Sequence, residues 1–252
     1  MDDHRVTRVN VDTRRLLATV FFVCIATEIL LFLLDLTINW QRFSETGAIR
    51  RLFNTAREDS LASWFAIMQT FAVALVAWAL VIASRASQAS AFRRAGWMFV
   101  AILFTYLSVD DGAKVHERLG TWSESFDATS DVLNAYPSYA WQLVVGPVLG
   151  AMGLFMLFFL WRELDDWKHR AGVLAAFGFL ALAVFLDFVE GLDDRYWWIL
   201  QNYDVTEDLI SHFSKSIEET LEMFAMTLFL VVFLSHLMRS YPTIALFFSE
   251  AR

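Results

Sequence analysis

The chain has 252 residues, of which 57% are hydrophobic, 16% aromatic and 19% charged, with a mean hydropathy of +0.46. Soluble domains carry about 45–50% apolar and about 25% charged residues, so the composition argues against an ordinary soluble fold. The net charge of -8 argues against a nucleic-acid partner, and the single cysteine, Cys24, excludes an intrachain disulfide and a thiolate metal cluster.

Six apolar windows follow one another along the chain: Leu16–Ile38, Leu61–Ala83, Gly96–Val109, Trp141–Trp161, Gly172–Val189 and Ile217–Met238. Each approaches the roughly 20 residues that cross a hydrocarbon core of about 30 Å. The first is longer than the h-region of a cleaved signal peptide and no A-x-A-like site closes it, so it reads as a span. The third is short because charges begin at Asp110, and its helix is expected to run on to Leu119. Leu, Phe, Val and Ala fill the windows, only three prolines occur, and strand-like alternation is absent. Backbone groups in lipid must be satisfied within their own segment, which makes these windows helices. The expected fold is a single all-α domain over residues 1–252, a polytopic bundle of six transmembrane helices (about 16–38, 61–83, 96–119, 141–161, 172–190 and 217–238).

Orientation follows from Lys and Arg. Twelve lie in the two termini and the 85–94 and 162–170 loops, against eight in the other three loops, which are longer and rich in Asp and Glu. The positive-inside rule then puts both termini in the cytoplasm. Trp40, Trp64, Trp141, Trp197 and Trp198 fall near the outer interface, and Trp97, Trp161 and Trp167 near the inner one, as an aromatic belt would.

Ionisable groups within a membrane are costly, so where they sit is informative. At a rise of about 1.5 Å per residue from the inner ends, Glu28 is about 18 Å up its helix, Asp110 about 20 Å, Asp187 about 22 Å and Glu222 about 24 Å. Four helices thus carry carboxylates at similar depth in the outer half, and no comparable set is expected in the inner half. Below the acids the polar residues are few: Gln69, Thr70, Thr105, Tyr106 and Thr227. At about 100° per residue, Asp110, His116 and Glu117 fall within one arc, with Asp111 off it. Asp187, Glu190 and Asp194 share a face of the fifth helix. His212, Glu219, Glu222 and Met226 form a stripe on the sixth, with Lys215 on it and Glu218 at its edge. On the first helix Cys24, Glu28 and Asp35 share a face, and on the second Gln69 lies below Glu58.

Several of these residues have simpler readings. Glu58 and Asp59 favour a helix N-terminus, Asp193 and Asp194 suit a turn, His212 an interface and Met226 packing, and Glu28 can be an interhelical hydrogen-bond partner. The simpler readings leave unexplained why Asp110, His116, Glu117, Asp187, Glu190, Glu219 and Glu222 coincide, since clustered carboxylates repel unless protonated or bridged by cations. Asp110, His116, Asp187, Glu190, Glu219 and Glu222 are therefore candidate metal ligands, with Glu117 as a further ligand or catalytic general base. Carboxylate and imidazole without thiolate suit iron, manganese or zinc, or calcium if the histidines stay out.

The stretch Val109-Asp110-Asp111-Gly112-Ala113-Lys114-Val115-His116-Glu117-Arg118-Leu119 resembles a pattern, L-D-E-x4-H-E-R-L, of uncharacterised bacterial polytopic membrane proteins. Val109 and Asp111 stand here where the pattern has Leu and Glu. Phe53-Asn54-x2-Arg57-Glu58-Asp59-Ser60-Leu61-x2-Trp64-Phe65 is similar to the segment opening their second helix, and Glu218-Glu219-x2-Glu222-Met223 fits their Glu-rich last helix. The resemblance implies a multi-pass protein of the bacterial inner membrane and no particular activity.

Three functions are compatible with these features. The first is an outward-facing metal site, which could activate water against a lipid or an outer-face substrate. The second is a cation- or proton-coupled transporter, channel or sensor. The third is an accessory subunit of a larger membrane complex, docking other subunits through Phe-rich faces. The lipid bilayer is the partner common to all three.

Overall fold

The computed structural model describes residues 11–115, 118–119, 145–190 and 196–243, and every regular element in them is helical. Helix α1 spans Thr13–Leu34 and continues into a π-helical turn, Asp35–Trp40. A short α2, Gly47–Phe53, leads to α3, Leu61–Ala86, and α4, Ala91–Ala113. Beyond these come α5, Gly146–Glu163, α6, Trp167–Glu190, a short α7, Trp197–Asn202, and α8, Glu207–Ser240.

Helix starts are set by side-chain caps. Asp12 accepts from the backbone N–H of Arg14 and Arg15, Ser60 from Ser63, Ser90 from Arg93 and Thr206 from Leu209. Each satisfies donors that the first helical turn leaves without a partner. Among the described residues, five segments are long and apolar enough to cross a membrane: Thr13–Trp40, Leu61–Ala86, Gly146–Glu163, Trp167–Glu190 and Glu207–Ser240. Helix α4 has the length, with 23 residues, but ends in Asp110-Asp111-Gly112-Ala113.

The second predicted span starts at Leu61, as α3 does. Two expectations are corrected. The third helix does not run unbroken to Leu119; α4 ends at Ala113, where Lys114 takes a left-handed conformation (φ 53°, ψ 48°) and its N–H bonds the Asp110 carbonyl. Two aspartates and a glycine close the helix, and negative charge is unfavourable at a helix C-terminus, so a break there costs little. The last helix begins at Glu207 rather than Ile217, and its 34 residues give a length of about 51 Å, longer than the hydrocarbon core. The fourth window's first residues, 141–144, lie outside the described residues.

Helix α8 is the axis of the bundle. It packs on α1, α3 and α6, and 56% of its most apolar window is buried against 17% for α1. Lipid tails are as apolar as leucine, so association rests on close packing, and small residues such as Ala74, Ala77, Ala101 and Ala176 sit fully buried between helices. Trp97 of α4 meets Phe159 of α5 and Phe233 of α8 edge-on, with ring centroids 5.4 Å apart in both pairs. Phe229 continues this core against Phe104 and Phe177. Gly96 admits Phe159: a Cβ on it would fall 2.0 Å from that ring. Phe22, Val23, Leu154, Phe158, Val184 and Phe185 point outward, as lipid-facing residues do.

Candidate functional site: an acidic end of the bundle

Helices α1, α3, α4, α6 and α8 bring their polar residues to one end. There α8 presents Lys215, Glu218, Glu219 and Glu222 over two turns. Lys215 Nζ lies 2.7 Å from Glu218 Oε1, 3.7 Å from Asp187 Oδ1 and 4.0 Å from Glu219 Oε1. Its side chain is 26% exposed, so an ammonium group stands inside the acidic set as a fixed counter-charge. Glu219 is within electrostatic reach of Asp111, Asp187 and Lys114 as well, and Glu222 within reach of Glu219, Asp111 and Glu218. Asp110 is buried and accepts from Tyr106 Oη at 3.4 Å. Glu190 ends α6, half-buried, one turn beyond Asp187.

Asp111, which helical spacing places off the arc, belongs to this set. Its Oδ2 accepts from Thr70 Oγ1 of α3 at 3.3 Å, and its charge acts on Glu219 and Glu222. The arc drawn through His116 and Glu117 assumed a continuous helix, which the left-handed Lys114 interrupts. His116, Glu117 and Asp194 themselves lie outside the described residues. Lys114 forms an ion pair with Glu58, so this acid bridges to α4 rather than only opening α3.

Asp59 has a different role. It accepts from Arg51 Nε at 2.5 Å and Arg57 Nε at 3.0 Å, and these two guanidinium groups hold its carboxyl down at about 2. It ties α2 to the start of α3.

A second polar centre surrounds Asp35 in the π-helical turn. Asp35 is 1% exposed and accepts from Asn39 Nδ2 at 2.8 Å and Ser216 Oγ at 2.9 Å. His212 Nε2 lies 3.0 Å from its Oδ2, off the line of a hydrogen bond, and the His212 ring stacks on Trp40 at 5.0 Å. Ser216 touches the aspartate and not the histidine, so the trio is no nucleophile relay, which requires hydroxyl-to-imidazole contact. The wider π turn offsets Trp40 onto His212; such turns recur at functional sites.

Among the described residues, the opposite end of the bundle holds a single buried carboxylate rather than a set of them. Glu163 at the end of α5 is 7% exposed, with Arg93 Nε 2.8 Å and 2.9 Å from its two oxygens. Trp97 Nε1 donates to it at 3.2 Å, and His236 Nε2 lies 3.4 Å away. His169 Nε2 and Ser235 Oγ are 2.8 Å apart alongside. Asp166, in the turn between α5 and α6, is held below its usual range by the Lys168 N–H and by Arg239. Sequence spacing could not reveal this centre, because its members come from four helices; the signal available was one histidine, His236, inside an apolar window.

Among the described residues, no group of three or more His, Cys, Asp or Glu is arranged to hold a metal ion. The structure therefore brings Asp110, Asp187, Glu190, Glu219 and Glu222 to one end of the bundle, with Lys215 among them, rather than into a preformed cage.

The family described as a domain of unknown function (DUF8692) matches residues 16–237. No curated protein and no solved structure matches the chain.

Proposed function

The chain belongs to that family, a domain of unknown function (DUF8692), and from this premise we propose that it is a six-span membrane protein whose acidic end binds a divalent metal ion from the outer side. Helix α4 is the sixth span, its Asp110-Asp111 end lying level with the acids of α6 and α8. The excess of basic residues in the termini and in the 85–94 and 162–170 loops places the opposite end in the cytoplasm.

One observation carries the reading: three helices, α4, α6 and α8, bring their acids to the same end of the bundle. Asp110, Asp111, Asp187, Glu190, Glu218, Glu219 and Glu222 share one end with Lys215, and Lys114 is shared with Glu58. Carboxylates gathered at a low-dielectric end attract positive charge. Oxygen donors suit calcium or manganese, and imidazole from His116 would extend the choice to zinc or iron. Glu219 and Glu222 are the central ligands, Asp110, Asp187 and Glu190 would contribute oxygens from α4 and α6, and His116 an imidazole nitrogen. A bound metal there supplies a Lewis acid beside the lipid surface, with Glu117 as general base.

Thermal unfolding of the purified protein in nanodiscs tests this. Addition of Ca2+, Mn2+, Zn2+ or Fe2+ should raise Tm saturably, and a chelator should reverse it, in the wild type but not in Glu222→Gln. Equal responses in the two proteins refute the site.

Lys215 favours a second reading, exchange of protons or small cations in a transporter or sensor. A tethered ammonium among acids can leave when another cation arrives, as an exchange site requires. Proteoliposome flux that is lost in Asp187→Asn, without metal binding, selects it.

A further inference from the structure

We infer that Glu28, Gln69 and Thr227 form a separate site, deep in the membrane, that takes up one positive charge from water, as a proton or a bare Na+. Glu28 is fully buried on α1. Its Oε1 accepts from Thr227 Oγ1 of α8 at 2.6 Å and from Gln69 Nε2 of α3 at 2.7 Å, and Gln69 Nε2 lies 2.8 Å from Thr227 Oγ1. Three helices thus converge on a single carboxylate oxygen.

The other oxygen is left over. Glu28 Oε2 and Gln69 Oε1 are both enclosed and have no hydrogen-bond partner. Two unsatisfied acceptors in one enclosed cluster, with the Gln69 amide and the Thr227 hydroxyl already engaged at Glu28 Oε1 and the Cys24 thiol a weak donor alongside, mark a place for a positively charged occupant rather than for packing. Among the described residues, the groups facing Glu28 are Gln69 from α3 and Thr227 from α8, with Cys24 one turn away on α1, and none of these is a cation. A bare carboxylate enclosed in this way is prohibitively costly, and unlike the acids around Lys215 it has no lysine beside it among the described residues.

The depth separates this site from the acidic end. Glu28 lies about 22 Å along α1 from Thr13, and Thr227 about 20 Å along α8 from Ser240, near the middle of the bundle. Glu222 is about 7.5 Å nearer the acidic end than Thr227 along the same helix. The site is therefore distinct from the proposed metal ligands and does not rest on them.

Proton and Na+ are separated by infrared spectroscopy and thermal unfolding of nanodisc protein at neutral pH, in Na+ and in choline buffers. With a proton bound, the difference between wild type and Glu28→Gln shows the carbonyl band of one neutral carboxylic acid, present in both buffers and shifted in heavy water. With Na+ bound, that band is absent, and Na+ raises Tm saturably in wild type but not in Glu28→Gln. Thr227→Val keeps the acid but removes a hydrogen bond to it, so it shifts the band or weakens the Na+ response, and serves in its own right if Glu28→Gln does not fold. Both readouts are taken as the difference between wild type and Glu28→Gln, so failure of the metal reading does not affect this one. A wild type with neither the band nor any Na+ dependence overturns the inference.

Discussion

Replacing Lys215 with Met is the sharpest perturbation of the acidic end, because it removes the charge and keeps most of the aliphatic volume. Lys215 Nζ stands 2.7 Å from Glu218, 3.7 Å from Asp187 and 4.0 Å from Glu219, with 26% of its side chain exposed. An ion pair at 4 Å in an effective dielectric of about 20 is worth about 4 kcal/mol before desolvation. Removing one partner of a buried pair costs about 3–5 kcal/mol, because the other charge is left uncompensated. Partial exposure puts Lys215→Met at the lower end, about 3 kcal/mol, or roughly 6–12 °C in Tm for a chain of this size. Glu218→Gln should restore part of this loss, with a coupling of about 1–3 kcal/mol in a double-mutant cycle read by thermal unfolding in nanodiscs. The metal reading adds that Lys215→Met binds divalent metal more tightly than wild type. An unchanged Tm in Lys215→Met, or strictly additive effects with Glu218→Gln, would refute the assignment of Lys215 as the internal counter-charge.

Other expectations are narrower. Gly96→Ala places a Cβ 2.0 Å from the Phe159 ring, so it should cost about 1–3 kcal/mol through overpacking, and Phe159→Leu should relieve it; an unaffected Tm in Gly96→Ala contradicts the packing. Asp59, held at about 2 from an ordinary 3.8, favours the folded state above pH 3.8 and loses that contribution as pH falls towards 2. Asp59→Asn should therefore flatten the acid limb of the stability profile over that window, and an identical limb in both proteins rules the contribution out. Glu163→Gln leaves Arg93 and His236 facing a neutral amide, so it should destabilise by about 2–4 kcal/mol, and a matching change at Arg93 should be strongly non-additive.

The sequence carried the helices because apolar runs of span length leave little choice in lipid, but constant helical rise set Glu28 level with Glu222, whereas its partner Thr227 lies about 7.5 Å deeper on α8. Cys24, Glu28 and Asp35 are buried on the face that periodicity assigned. Where local rules competed with tertiary ones, the reading failed. The first turns of α8, Glu207 to Ser216, are polar and look like a loop, yet Ser216 and His212 are held in the helix by contacts with Asp35, 181 residues away in the case of Ser216. Lys114 broke the arc on which Asp111 seemed misplaced, and Thr70 of α3 is the partner that locates it. Glu163 looked like part of a basic cytoplasmic loop; its partners Arg93 and Trp97 are 70 and 66 residues distant, beyond any local pattern. The role of Lys215 needed the relative placement of α6 and α8, which no single-helix periodicity supplies.

Metal content of the protein, purified from the membrane without chelators, tests the central claim most directly. Elemental analysis should find about one divalent metal ion per chain in the wild type and none in Glu222→Ala of the same helical content. Wild-type protein that is folded and metal-free, and that acquires none on addition of calcium, manganese, zinc or iron, would contradict the account.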